Sequence, residues 1–173
     1  GNTKAPIDIT VKWDGAPAVF AGEDPSDGKF FVAKKGIFAK TPKVYKSHAD
    51  IDADTSGDLS KKLKLAFDHL KNLGIKDVIQ GDFMFDQSDL KKENINGIGH
   101  ITFHPNTILY AVPLNSRLAK EIQRAKVGII WHTSYSGKSF ETMKAEFGRD
   151  IVGKLRKSKD VWMDDATLKD VSG

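Results

Sequence analysis

The strongest constraint on the fold lies in the stretch from Ile9 to Gly22. Ile9, Val11 and Trp13 alternate with Thr10, Lys12 and Asp14, the period of a half-buried strand. Asp14-Gly15 then interrupts the pattern, and glycine accepts the positive φ that a tight turn demands. Ala18-Val19-Phe20-Ala21 resumes as a second short apolar run. A chain that opens this way is committed to sheet, with Lys12 on a strand two residues before a sharp turn and Asp14 beside it. Such a lysine is either a solvated sheet-edge residue or a nucleophile. A lysine amine attacks only when neutral, and its ordinary pKa is about 10.4. Burial or a neighbouring positive charge lowers it. These residues alone leave both readings open.

Further along, Glu23 to Gly28 reads as a polar turn and Lys29 to Ala33 as a strand. Lys34-Lys35-Gly36 ends it, and a basic loop follows with Lys40, Lys43 and Lys46 around Tyr45. Basic residues interleaved with an aromatic suit either a phosphate backbone or plain solvation. His48 to Gly57 is acidic and polar and reads as a loop; its spacing does not match a calcium loop. Leu59 to Leu73 carries the clearest helical period, with Gly74 placed to close it.

Asp77 to Phe85 reads as a strand that is apolar except at Gln80 and Asp82. A carboxylate inside such a run is costly unless paired or functional. Asp86 to Gly99 reads as a long loop with a helical turn near Leu90. His100–Phe103, Ile108–Val112 and Val127–Thr133 read as strands, and Ser116 to Lys126 as a short helix. Ser139 to Phe147 reads as a helix closed by Gly148, and a short apolar segment, Val161-Trp162-Met163, follows the basic run Lys154 to Lys159. Many strands, few helices and turn-rich links predict an α+β fold with mostly antiparallel twisted sheets and a few packed helices.

At 173 residues the chain has room for one core, so a single domain over 1–173 is expected. The absence of cysteine excludes disulfides and thiolate metal sites and fits a reducing, cytoplasmic setting. No apolar run approaches a membrane span. The charge of +4 permits a nucleic-acid partner without requiring one. His100 and His104 are four apart but on a strand and turn, a poor metal pair. His132 beside Thr133, Ser134 and Tyr135 lacks the glycine context of a nucleophile elbow, and reads as structural or surface.

Lys12-Trp13-Asp14-Gly15 resembles the Lys-x-Asp-Gly adenylation motif of the covalent nucleotidyltransferases, which comprise DNA ligases, RNA ligases and mRNA capping enzymes. In the same order, Lys34-Lys35-Gly36-Ile37 resembles their basic residue and glycine after a strand, and Gln80-Gly81-Asp82-Phe83-Met84 their Gly-Glu strand motif. Ile108 to Val112 resembles the later strand that supplies an aromatic to the nucleobase. Lys-Trp-Asp-Gly-Ala-Pro and Phe-His-Pro-Asn-Thr-Ile are also similar to segments of bacteriophage ligase-like proteins. Ordered co-occurrence over the first two-thirds of the chain is more specific than any single motif.

The resemblance implies a nucleotidyltransferase (ATP-grasp-like) adenylation domain, ATP and Mg²⁺ as cofactors, and RNA or DNA ends as partners. It implies a catalytic Lys12, and a nucleotide held by Lys12, Asp14, Gly15, Lys35, Asp82 and Tyr110, with Phe38 as the other aromatic that could face the base. Asp82 is the implied metal ligand, and Lys34, Lys40, Lys43 and Lys46 would meet nucleic-acid phosphates. Three positions depart from the pattern. Pro17 stands where these enzymes usually carry Arg, Asp82 replaces Glu, and Val127 to Trp131 lacks the Glu and Lys of the Glu-Gly-x-x-x-Lys motif. Lys157-Ser158-Lys159 is the candidate for the last Lys-x-Lys motif. A domain lacking its C-terminal part is therefore expected. The alternatives are a catalytically degenerate nucleic-acid-binding module of the same fold, and an interaction domain whose Lys-x-Asp-Gly is accidental.

Overall fold

The structure, a computed structural model, describes residues 17–148 and 150–166. A six-stranded sheet has the order β2-β1-β3-β7-β8, with a further strand, β9, also on β7. Its strands are β1 (Ala18–Glu23), β2 (Phe30–Ala33), β3 (Val78–Asp86), β7 (Val127–Ser136), β8 (Lys144–Phe147) and β9 (Val161–Asp165). Every pairing is antiparallel except β7 with β9. A second, three-stranded antiparallel sheet joins β4 (Lys91–Ile95), β5 (Ile98–Phe103) and β6 (Tyr110–Pro113). The described residues also hold three α-helices: α1 (His48–Asp54), α2 (Gly57–Leu70) and α3 (Arg117–Arg124). The expected α+β class with mostly antiparallel sheet is therefore present.

Alternation along the strands divides the core between the two faces of the large sheet. Val19, Ala21, Ile79, Phe83, Ile129 and Trp131 face α1 and α2, whose Ile51, Leu63, Ala66 and Leu70 close over them. The opposite face carries two separate apolar clusters. One holds Phe20, Phe31, Ile37 and Val78. The other joins Met84, Phe85, Ile130 and Trp162 to the small sheet and α3 through Phe103, Val112 and Ile122. Between them along β3 lie Gln80 and Asp82, and along β7 lies His132.

Three sequence expectations are corrected. His48–Gly57 is not a loop but contains α1. Ser47 caps it by accepting from the Asp50 N–H at 3.1 Å, and one buried residue, Ile51, anchors it. Its acidic residues reach out to partners, Asp52 to Lys64 at 2.5 Å and Asp54 to Tyr45 and Lys43. A single apolar residue in two turns leaves no period to read.

The Asp86–Gly99 stretch is not a long loop. Asp86 caps the short 3-10 helix Gln87–Asp89, and a hairpin of β4 and β5 follows. Its turn is Asn96-Gly97, both at positive φ, 52° and 83°, the preferred pair for a two-residue hairpin. β4 is an exposed edge strand, so its polar sequence shows no alternation while Lys91 and Lys92 guard the edge.

Ser139–Phe147 is not a helix. Ser139 caps a 3-10 turn at Phe140–Thr142 and the chain then runs as edge strand β8. The apolar spacing suggests helix because Phe140 and Met143 pack on the Phe20 cluster from the turn.

Candidate functional site

Two backbone irregularities place the polar residues between the apolar clusters. In the β3–β7 register Gln80 faces Thr133 and Gly81 faces Trp131, so His132 is an extra residue on β7. A bulge of this kind re-aims a side chain. Gly81 lets the strands close there, since a Cβ would lie 2.3 Å from the Ile130 carbonyl oxygen.

The result brings His132 Nε2 to 3.8 Å from Asp82 Oδ2. Asp82 is 5% exposed, and its Oδ2 has no hydrogen-bond partner among the described residues. Burial without a donor pushes its pKa up to about 7, because desolvation penalises the charged form. The same burial pushes His132 below its ordinary range. The other ring nitrogen of His132, Nδ1, pairs with Thr133 Oγ1 at 2.6 Å. A hydroxyl donor or a cation offered to Asp82 would satisfy an oxygen that the described residues leave bare.

Aromatic side chains border this floor. Tyr135 donates its hydroxyl to Gln80 Oε1 at 2.5 Å. Phe38, 43% exposed, lies 4.6 Å from the Tyr135 ring and 5.9 Å from Phe20. Phe147 is also exposed and sits 6.0 Å from the His132 ring. Tyr110 is placed differently. It is buried and stacks on Phe103 at 5.4 Å. Burial is the main cause of its raised hydroxyl pKa, and the Asp82 charge adds to it, so the two groups sense each other.

Lys12, Asp14 and Gly15 lie outside the described residues. The residues that follow them, Pro17 and Ala18, lie beside Asp82. The Pro17 carbonyl accepts from the Phe83 N–H at 2.8 Å, and Ala18 pairs with Asp82.

The basic residues divide. Lys46 is bound to Asp24 at 2.9 Å and Asp27 at 2.7 Å, and Lys43 to Asp54 at 2.9 Å. Lys35 and Lys40 are exposed beyond β2 and Lys34 is half-buried; among the described residues none of the three has a carboxylate at ion-pair distance. The structure thus does not gather all five into one face of available charge.

The described residues contain no group of three metal-ligating side chains. The bare Asp82 oxygen is nevertheless a fit for Mg²⁺ of the kind held by one carboxylate, substrate phosphates and water. His132 is the neighbour that sequence reasoning missed. Its signal was a polar residue directly after the apolar run Val127–Trp131, but only the bulge turns it toward Asp82.

Residues 1–173 match the model of a family of unknown function (DUF6267). No curated protein and no solved structure matches the chain.

Proposed function

The chain belongs to DUF6267, and we propose that it is an ATP-dependent polynucleotide ligase-like nucleotidyltransferase that forms a lysyl-AMP intermediate on Lys12. The observation that carries the proposal is the pairing of Ala18 with Asp82. It seats the strand that follows Lys12-Trp13-Asp14-Gly15 directly against a buried carboxylate whose Oδ2 has no partner. Lys12 is five residues before Pro17, and five extended residues span at most about 18 Å, so Lys12 can reach a nucleotide at Asp82.

In this reading Asp82 accepts hydrogen bonds from the ribose hydroxyls, and those donors draw its pKa back down. The base lies against the exposed ring of Phe38 rather than the buried Tyr110. Lys34, Lys35 and Lys40 stay available for phosphates. When bound, Mg²⁺ supplies charge neutralisation at the phosphates, with Asp82 as its protein ligand.

Neutral Lys12 Nζ attacks the α-phosphorus of ATP. The bond to pyrophosphate breaks, Nζ gives up a proton, and a phosphoramidate-linked AMP remains. An oxygen of a 5′-phosphate end then attacks the AMP phosphorus, the P–N bond breaks, and Lys12 Nζ leaves with a proton taken from water. A 3′-hydroxyl attacks that activated phosphate, AMP leaves, and the two ends are joined. Incubating the protein with ATP labelled at the α-phosphate should transfer label to the chain, while ATP labelled at the γ-phosphate should not. Transfer of the γ label would show phosphorylation instead and overturn the reading.

A further inference from the structure

On the far side of β9 from the Asp82 row, α3 and the segment before β9 enclose a cleft of about 370 Å³. It is lined by Arg124, Lys157 and Lys159, by Glu121, and by the apolar Val161 and Trp162. The cations come from two separate parts of the chain, Arg124 from the last turn of α3 and the lysines from the run into β9. Among the described residues none of the three has a carboxylate at ion-pair distance. Of the acidic groups nearby, Glu121, which also lines the cleft, pairs with Arg117 at 3.6 Å, and Asp160 Oδ2 lies 3.9 Å from His69 Nδ1.

Three like charges around one concavity repel each other, and low-dielectric walls focus their field outward. An anion relieves that repulsion. The contrast with the loop after β2 is direct, because Lys43 and Lys46 already have carboxylates. Arg124 offers a planar fork that fits a phosphate through two hydrogen bonds, and the lysines act as point charges. Val161 and Trp162, buried in the core clusters, close the base of the cleft.

We propose that the Arg124–Lys157–Lys159 cleft is the phosphate-backbone site for a nucleic-acid strand, a placement that rests on the ligase-like reading for the identity of the anion. The contacts are to phosphates rather than bases, so binding is indifferent to sequence.

The test is fluorescence anisotropy with a 5′-phosphorylated single-stranded oligonucleotide over a range of salt. Lys157→Ala with Lys159→Ala should weaken binding and flatten the slope of log affinity against log salt by about 0.7 for each lost contact. Arg124→Glu should weaken it further. Lys43→Ala with Lys46→Ala should leave the slope unchanged. No binding by the wild-type chain, an unchanged slope in the Lys157 and Lys159 variant, or equal competition by poly-glutamate would overturn the assignment. Label transfer from ATP, measured without oligonucleotide, should survive in Arg124→Glu. If the wild-type chain takes no label yet the slope falls as expected, the ligase reading fails and the cleft stands.

Discussion

Asp82 Oδ2 and His132 Nε2 face each other at 3.8 Å, too far for a hydrogen bond, in a sheet face where Asp82 is buried and His132 half-buried. Each is held toward its neutral form by desolvation. The pair sits between two apolar clusters rather than inside either. Such an arrangement lowers stability and is worth retaining only where a ligand completes it.

Asp82→Asn should therefore stabilise the protein at neutral and alkaline pH. The carboxyl moves from 3.8 to about 7 on folding, so between those values the folded chain holds more protons than the unfolded one. Its stabilising contribution is full below pH 3.8 and is lost as pH rises through about 7. At pH 8 the ionised group costs on the order of 4 kcal/mol, and the variant should melt higher by up to roughly 8–16 °C, at roughly 2–4 °C per kcal/mol. His132 acts in the opposite sense, because its lowered pKa lets acid favour the unfolded chain below its ordinary range. Melting curves of both proteins across pH would show the gap close in acid. A gap independent of pH would contradict the assigned titration.

The same substitution should weaken ATP. Hydrogen bonds to a charged acceptor contribute roughly 1.5–3 kcal/mol, so calorimetric titration should show at least a tenfold loss of affinity. Equal affinity in the folded variant would remove Asp82 from the site.

Phe38 and Tyr110 should separate by stability. Phe38 is 43% exposed, whereas Tyr110 is 6% exposed and stacked on Phe103. Phe38→Ala should lower ATP affinity with little change in the urea midpoint. Tyr110→Ala should unfold at clearly lower urea, by roughly 3–5 kcal/mol as for other buried aromatics. ATP affinity that is insensitive to Phe38→Ala would place the base elsewhere.

Glycine at 128 is a packing requirement. A Cβ there would lie 2.0 Å from the Phe85 ring, which itself packs on Phe103 and Trp162 at 5.0 and 6.0 Å. Gly128→Ala should cost about 1–3 kcal/mol or more, read from the urea midpoint. Gly36→Ala tests the other cost of glycine, since it has open space but a φ of 111°. An unchanged midpoint in Gly128→Ala would mean that Phe85 can yield.

The sequence was most legible where one face of an element is buried. α2 and β3 were both read close to their observed bounds, because their apolar residues recur at the period of the element. α1, β4 and β8 were misread because each buries little or nothing along its length. Capping by Ser47 and the Asn96-Gly97 turn fix the first two, and those signals are short and local. Asp82 stood out as a carboxylate in an apolar run. Its relation to His132 did not, since it depends on one extra residue in the β7 register, and a bulge leaves no mark in composition.

The central claim concerns Lys12, and peptide-level mass spectrometry after incubation with ATP and Mg²⁺ tests it most directly. The account predicts one added AMP on the peptide containing Lys12-Trp13-Asp14-Gly15, lost on treatment with pyrophosphate and absent in Lys12→Ala. An AMP on a different lysine, or a Lys12→Ala variant that labels as well as the wild-type chain, would contradict it.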